Sequence, residues 1–179
     1  MARIKWNMDP AHSEVVFKVR HMMVSNVSGE FKKFDATLET EGHDFTTAKA
    51  TFEADVDSIT TRQEKRDEHL KSEDFFHAEK HPKIHFESTE IKKVGDDEYE
   101  MLGNMTIRET TKPIVLKVEN SGVIKDPWGY TRAGFEISGK INRLEYGLKY
   151  NAALETGGVV VGSDVKLLVN IEMLYKEGE

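Results

Sequence analysis

The chain has no cysteine. Disulfide frameworks, thiolate nucleophiles and cysteine-based zinc or iron–sulfur sites are therefore excluded. It also lacks an excess of positive charge: 25 Lys and Arg stand against 32 Asp and Glu, a net charge of −7. General DNA or RNA binding needs a basic footprint that displaces counterions, and docking on anionic lipid head groups needs one too. Both are disfavoured. No stretch approaches the roughly 18 consecutive apolar residues of a membrane-spanning helix. The opening Met1-Ala2-Arg3-Ile4-Lys5-Trp6-Asn7 lacks the apolar run of a signal peptide, so the default expectation is a cytoplasmic protein. Low-complexity stretches, internal repeats and Pro/Gly/Ser-rich linkers are also missing, so residues 1–179 read as a single domain.

What is present is alternation. Hydrophobic residues make up only 38 % of the chain, but nine Phe and five Tyr argue against disorder. In residues 13–20, Val15, Phe17 and Val19 share one face and Glu14, Lys18 and Arg20 the other. In residues 49–57, Ala50, Phe52, Ala54 and Val56 oppose five polar side chains without interruption. In the last such segment Val165, Leu167, Val169, Ile171 and Met173 share a face. Period-2 alternation marks half-buried strands. Residues 30–40, 84–94, 98–108, 113–124 and 130–141 complete a set of about eight long strands separated by turn signals such as Gly95-Asp96-Asp97. One segment differs. Thr61-Arg62-Gln63-Glu64 fits a capping box, followed by a polar helical stretch, 65–71, with Leu70 as its only apolar anchor. A second helical turn is expected around 141–146. The pattern is all-β, either a sandwich or a closed barrel. A barrel of this size is filled by side chains or holds one small ligand.

Motifs for chemistry are weak. His77, His81 and His85 follow one another at intervals of four, but Pro82 forces His81 toward an extended conformation, which favours surface or structural histidines over a metal site. Arg66-Asp67-Glu68-His69 gathers titratable groups, and a solvated helix face with ion pairing at i, i+3 is favoured over acid–base work. There is no GxSxG elbow. Gly157-Gly158-Val159-Val160-Val161-Gly162 lacks the Lys-Ser/Thr of a phosphate loop and reads as a loop before the last strand. The many Phe and Met on long strands fit a hydrophobic cavity, with ordinary core packing as the alternative for each residue singly.

The stretch Trp6-x-Met8-Asp9-Pro10-x-His12-Ser13-x-Val15-x-Phe17-x-Val19-x-His21-Met22-x-Val24-Ser25 resembles the opening of the YceI-like family, polyisoprenoid-binding lipocalin-like proteins. The resemblance continues through Ser58-Ile59-x-Thr61, Lys65-Arg66-Asp67-x-His69-Leu70, Asp74-Phe75-Phe76 and Pro82-Lys83-Ile84-x-Phe86-x-Ser88-Thr89. It runs on through Gly103-x-Met105-Thr106-Ile107, Thr111-Lys112-Pro113, Asp126-Pro127-Trp128-Gly129, Ile141-Asn142-Arg143 and Leu154-Glu155-Thr156-Gly157-Gly158. His77 and Arg108-Glu109 depart from the usual pattern, which more often has Asp and His-Gly there.

The resemblance implies an eight-stranded antiparallel lipocalin-like barrel with a short helix over one end. It implies a cavity for a polyisoprenoid, isoprenoid quinone or related amphipathic lipid, bound non-covalently for transport or storage. It implies no catalytic activity, cofactor or metal, no nucleic-acid partner and no stable membrane insertion, and many relatives are exported. Alternation then assigns the lining to Phe17, Val19, Phe34, Phe52, Val56, Phe86, Met105, Ile107 and Phe135, with Met22, Leu70, Phe75 and Phe76 near an end. His21, Arg66, Asp67 and His69 are the polar candidates for the mouth or a ligand head group. Two alternatives stay open: an enzyme acting on a lipid with His69 and Asp67 as acid–base groups, or a filled barrel serving as an interaction protein. A homodimer that pairs two mouths is compatible with such a barrel. The acidic balance favours a ligand held by apolar burial and makes a strongly basic phosphate clamp the weaker expectation.

Overall fold

Alternation becomes sheet along nearly the whole chain of the computed structural model, which describes residues 3–151 and 161–177. The strands are β1 (Arg3–Met8), β2 (Glu14–His21), β3 (Ser25–Phe31), β4 (Phe34–Glu41), β5 (Asp44–Asp55), β6 (Ile59–Thr60), β7 (Lys83–Gly95), β8 (Glu98–Ile107), β9 (Thr110–Lys125), β10 (Tyr130–Asn142) and β11 (Val161–Lys176). One α-helix, α1 (Glu64–Lys71), lies between β6 and β7. The ladders between them are antiparallel.

Two breaks explain why the sequence suggests about eight strands and the chain shows eleven segments. β1 and β2 lie end to end along one edge of β11. Between them Asp9 accepts a hydrogen bond from Ala11 N, and Pro10 opens a single 3-10 turn, Pro10–His12. Proline supplies no ladder donor, and the turn it opens interrupts the strand here. β3 and β4 likewise lie end to end alongside β2 and β1. Counting each broken pair once and setting aside the two-residue β6, there are eight strand positions. The β1–β11 pairing closes them into a barrel. The alternation of 30–40 hides the second break, and β1 is too short and polar for its pattern to stand out.

The break at Lys32-Lys33 opens one end of the barrel. Beyond it β3 leaves the line of β5 and pairs with β6 instead, so the β2–β3 hairpin projects past the rest of the rim. α1 follows β6 and sits over this opening. Its start differs from the expected capping box. The helix begins after Gln63, which makes no side-chain cap. Thr61 is instead bound from inside the helix: Asp67 Oδ1 accepts from Thr61 N at 2.7 Å and from its Oγ1 at 2.6 Å. The expected turn near 141–146 is a 3-10 turn, Arg143–Tyr146, capped by Asn142 Oδ1 on Leu144 N.

The other end is closed by aromatic packing. Trp6, 3 % exposed, stands edge-on to Tyr175 at 4.6 Å and donates from Nε1 to Thr40 Oγ1 at 2.9 Å. Phe45 bridges Trp6, Tyr99 and Phe135. Offset and edge-on ring pairs of this kind add to their area burial. Within the wall, Gly103 leaves room for the Phe86 ring: a Cβ there would lie 2.4 Å from Phe86 Cζ and from the Glu87 carbonyl.

Below that end the β1–β2 connection is tied to β10 and β11 by charge. Arg132 pairs with Asp126 at 2.7 Å, Asp9 at 2.9 Å and Glu172 at 3.4 Å, and His12 joins Asp9 and Glu172. Asp9, His12 and Glu172 are close enough to ligate a cation, but the Arg132 guanidinium already supplies the positive charge. The hydrogen bond with His12 lowers the Asp9 pKa, against a smaller effect of burial, and Arg132 adds to it. Burial acts to raise Asp126, but hydrogen bonds from Arg132 and from Tyr130 and Trp128 N outweigh it. Both carboxyls thus titrate below the ordinary value of 3.8 in the native state. The unfolded chain binds their protons more readily. Their stabilisation is present above that value and is lost as pH falls through the lower native pKa values. Urea midpoints measured against pH should therefore drop below about pH 4. The drop should be shallower in Asp126→Asn; an unchanged acid slope would contradict this assignment.

Candidate functional site

The inward side chains do not fill the barrel. They surround a cavity of about 580 Å³ that runs from the aromatic plug to the helix-covered end. That lies within the range of small-molecule sites, roughly 300–1,000 Å³. The wall is apolar because the pleat sends every second residue inward. Phe17 and Val19 enter from β2, Phe52 from β5, Phe86 from β7, Met105 and Ile107 from β8, and Phe135 from β10. Leu70 of α1, with Phe75 and Phe76 of the following loop, covers the open end. Phe76 stands edge-on to Phe31 at 6.1 Å.

Four expected site residues lie elsewhere. Val56 is fully buried, but it sits in the 3-10 turn that ends β5 and packs in the core beside the cavity, not on its wall. Phe34 is the first residue of β4, at the break, and packs half-buried against Phe52 at 6.2 Å. Met22 occupies the β2–β3 turn at φ 51° and is 45 % exposed. Asp67 is turned onto Thr61 and does not line the cavity. The expected Gly-rich loop 157–162 and the stretch 154–158 lie largely in 152–160, outside the described residues. Val161 and Gly162 open β11.

The lining expected from the sequence leaves out two kinds of residue. The first is small: Ala36, Ala48, Ala50 and Ala54 line the cavity, and their size is what leaves it open. Large Phe and Met are conspicuous in a sequence, whereas empty space is made by the short side chains between them. The second kind is irregular. Arg143, Leu148 and Tyr150 lie after β10, where no period exists to read, although Ile141-Asn142-Arg143 carries part of the family resemblance.

The mouth is built from hydrogen-bonded knots. Arg66 donates from Nε to Thr61 Oγ1 at 2.7 Å and from Nη2 to Thr61 O at 2.8 Å, so Arg66, Asp67 and the buried Thr61 lock α1 in place. His69 pairs with Asp74 at 2.8 Å, and its ring packs against Tyr150 and Phe75 at 4.6 and 5.1 Å. His21 lines the rim. Arg143, 3 % exposed, donates to four carbonyls: Leu148 at 2.5 Å, Gly162 at 2.8 Å, Tyr150 at 2.9 Å and Val161 at 3.2 Å. The unusual Arg108-Glu109 pair serves the same region. Arg108 donates to the Phe75 and Gly147 carbonyls, and Glu109 pairs with His81 at 3.0 Å. His77, His81 and His85 do not converge: His81 faces Glu109, and His85 approaches Glu53 on β5.

Asp67→Ala should cost about 1–3 kcal/mol, because Thr61 N–H is left without its partner in a partly buried position. Chemical denaturation should show the loss. Affinity for apolar probes should hold, since Asp67 is off the wall.

A closed antiparallel barrel of eight strand positions around an apolar cavity defines the lipocalin-like class of binding barrel. Within that class the chain belongs to the YceI-like family: the model of the YceI-like domain matches residues 6–173. It is 43 % identical to a UPF0312 protein of Staphylococcus epidermidis over 169 residues, 94 % of this chain and 96 % of that one. Among solved structures, it resembles a YCEI protein of Campylobacter jejuni at 31 % identity and a TM-score of 0.77, covering 89 % of this chain and 91 % of that one. BcnA of Burkholderia cenocepacia shares the fold at a TM-score of 0.81 and 20 % identity, covering 93 % and 99 %. A polyisoprenoid binding domain from Saccharophagus degradans does so at 0.68 and 16 %, covering 94 % and 97 %. Among the described residues no helix is long and apolar enough to cross a membrane.

Proposed function

We propose that this protein binds a long apolar molecule, a polyisoprenoid, isoprenoid quinone or related amphipathic lipid, inside the barrel and carries or stores it there. The observation that carries this reading is the apolar cavity of about 580 Å³. Burial supplies the driving force, roughly 25 cal/mol for each Å² of apolar surface taken out of water. The fold shared with a polyisoprenoid binding domain supports the same class of ligand. A filled interaction barrel accounts less well for the open interior. An acid–base enzyme accounts less well for Asp67 and His69, since the first is engaged by Thr61 and the second by Asp74.

Organic extraction of the purified protein followed by mass spectrometry tests the reading. A stoichiometric isoprenoid or similar lipid is expected, or uptake of added polyprenyl compounds by emptied protein. Finding neither would sink it.

A further inference from the structure

The outer wall of the barrel carries its charge in rows. On β8, β9, β10, β11 and β2 the residues between the cavity-lining positions point outward, and the strand registers set them side by side. One row is acidic. Glu98 stands opposite Glu119, Glu119 opposite Glu136, Glu136 opposite Asn170, and Asn170 opposite Glu14. A second row is basic: Lys140 stands opposite Lys166, and Lys166 opposite Lys18. Between the two rows Ser138, Leu168 and Val16 stand one beside the next. The four glutamates, the three lysines and Leu168 are exposed.

Like charges directly opposite one another destabilise a sheet face, and neither row is neutralised from within. Among the described residues none of these four glutamates forms an ion pair, nor do Lys18 and Lys166. Glu14 accepts a hydrogen bond from Asn170 Nδ2 at 2.9 Å, and Lys140 has the exposed Asp164 at 3.7 Å. Alternating signs along each row would remove the repulsion in both. The signs are sorted instead, an order that a surface with the reverse order would satisfy.

The chain itself supplies that surface. Lys140 and Glu136 lie four residues apart on β10, as do Lys18 and Glu14 on β2, which separates the rows by roughly 13 Å at about 3.3 Å per residue. Ser138, Leu168 and Val16 lie halfway. A half-turn about a line along this middle row exchanges the basic and acidic rows. Two copies so related meet face to face, with Lys140 over Glu136, Lys18 over Glu14 and Lys166 over Asn170. Leu168 and Val16 meet their own counterparts at the axis. Such an interface uses one patch twice and closes at two copies.

We infer that the outer face of β10, β11 and β2 is a dimer interface, with a second copy of this chain as its partner. The apolar middle row excludes water, and the flanking charges fix the register. The contact is on the wall, so the helix-covered end stays open, unlike a dimer that pairs two mouths. A patch three strands wide is narrow against the roughly 800 Å² per partner of a standard interface, so assembly should respond to concentration and to salt.

Sedimentation equilibrium of the full chain, from micromolar to submillimolar concentration, tests the interface. A monomer–dimer equilibrium that weakens as salt is raised is expected. Lys18→Glu/Lys140→Glu makes both rows acidic, and Glu14→Lys/Glu136→Lys makes both basic. Each double variant should weaken self-association at least about tenfold, since attraction becomes repulsion. An equal mixture of the two should pair again, because every row then meets its opposite. Leu168→Asp, one exposed change at the axis, should by itself prevent pairing, with far-UV circular dichroism as the control for folding. A wild-type chain that stays monomeric throughout would overturn the interface. So would a dimer that the charge variants and Leu168→Asp leave intact, the result expected of two mouths paired. Double variants that lose self-association and fail to pair when mixed would overturn the two-fold charge match.

Discussion

Ala50→Trp should abolish uptake of long apolar ligands while leaving the barrel folded. Ala50 sits midway along β5, opposite Leu38 of β4, and its Cβ faces the cavity. It is one of four alanines on the cavity wall, with Ala36, Ala48 and Ala54. An indole placed there enters free space, so the overpacking cost of about 1–3 kcal/mol seen in filled cores is largely avoided. The ligand bears the loss instead. Displacing about five chain carbons forfeits about 4 kcal/mol at about 0.8 kcal/mol per buried methylene. That is close to a thousandfold in Kd. Fluorescent prenyl titration, with far-UV circular dichroism as the control for folding, checks it. A variant that binds like the wild type would place the ligand somewhere other than this cavity.

Arg143→Met should produce the largest loss of stability from a single side chain. The thioether replaces the stem of Arg143 but none of its donors. Four carbonyls, on Leu148, Tyr150, Val161 and Gly162, then lose their partner together. At about 1 kcal/mol for each lost bond, and somewhat more where the donor is charged, the expected cost is about 3–5 kcal/mol. For a chain of this length that lowers Tm by about 10 °C or more. Arg143→Lys should recover little, because one ammonium on a flexible stem cannot reach four carbonyls set around a planar fork. Thermal unfolding of the two variants distinguishes this role from a simple need for positive charge, which Lys would meet.

The two substitutions mark what was legible in the chain. Ala50 was visible as an inward position because the alternation of 49–57 is unbroken, but nothing in a row of residues says that the space before it is empty. Arg143 was visible only as part of a family pattern. Its four acceptors lie 5 to 19 residues away, at positions that gain meaning only when the end of β10 meets the start of β11. The expected capping box at Thr61 failed for a related reason. Thr61 has the right spacing to Glu64, but Asp67 reaches the same groups from one turn further on, and the helix starts after Gln63. Met22 and Phe34 were placed on the wall by composition and parity. The tight turn at φ 51° removes the first and the break before β4 the second, and both are interruptions of the period that the assignment relied on.

The absence of cysteine only removed disulfide and thiolate chemistry; the period-2 pattern was enough to determine an all-β chain of about eight long strands, because the pleat alone dictates which residues share a face. The family resemblance, also carried by the residues, determined that the strands form a barrel. Tertiary structure decided the rest. Whether the barrel is filled or hollow depends on which small side chains share its inner wall, and Ala36, Ala48, Ala50 and Ala54 come together only through the β4–β5 ladder. The charge of the mouth was decided the same way. A net charge of −7 is a sum over the surface, whereas Arg20, the adjacent pair Lys65-Arg66, and Arg143 come from three separate stretches of the chain and line one cavity.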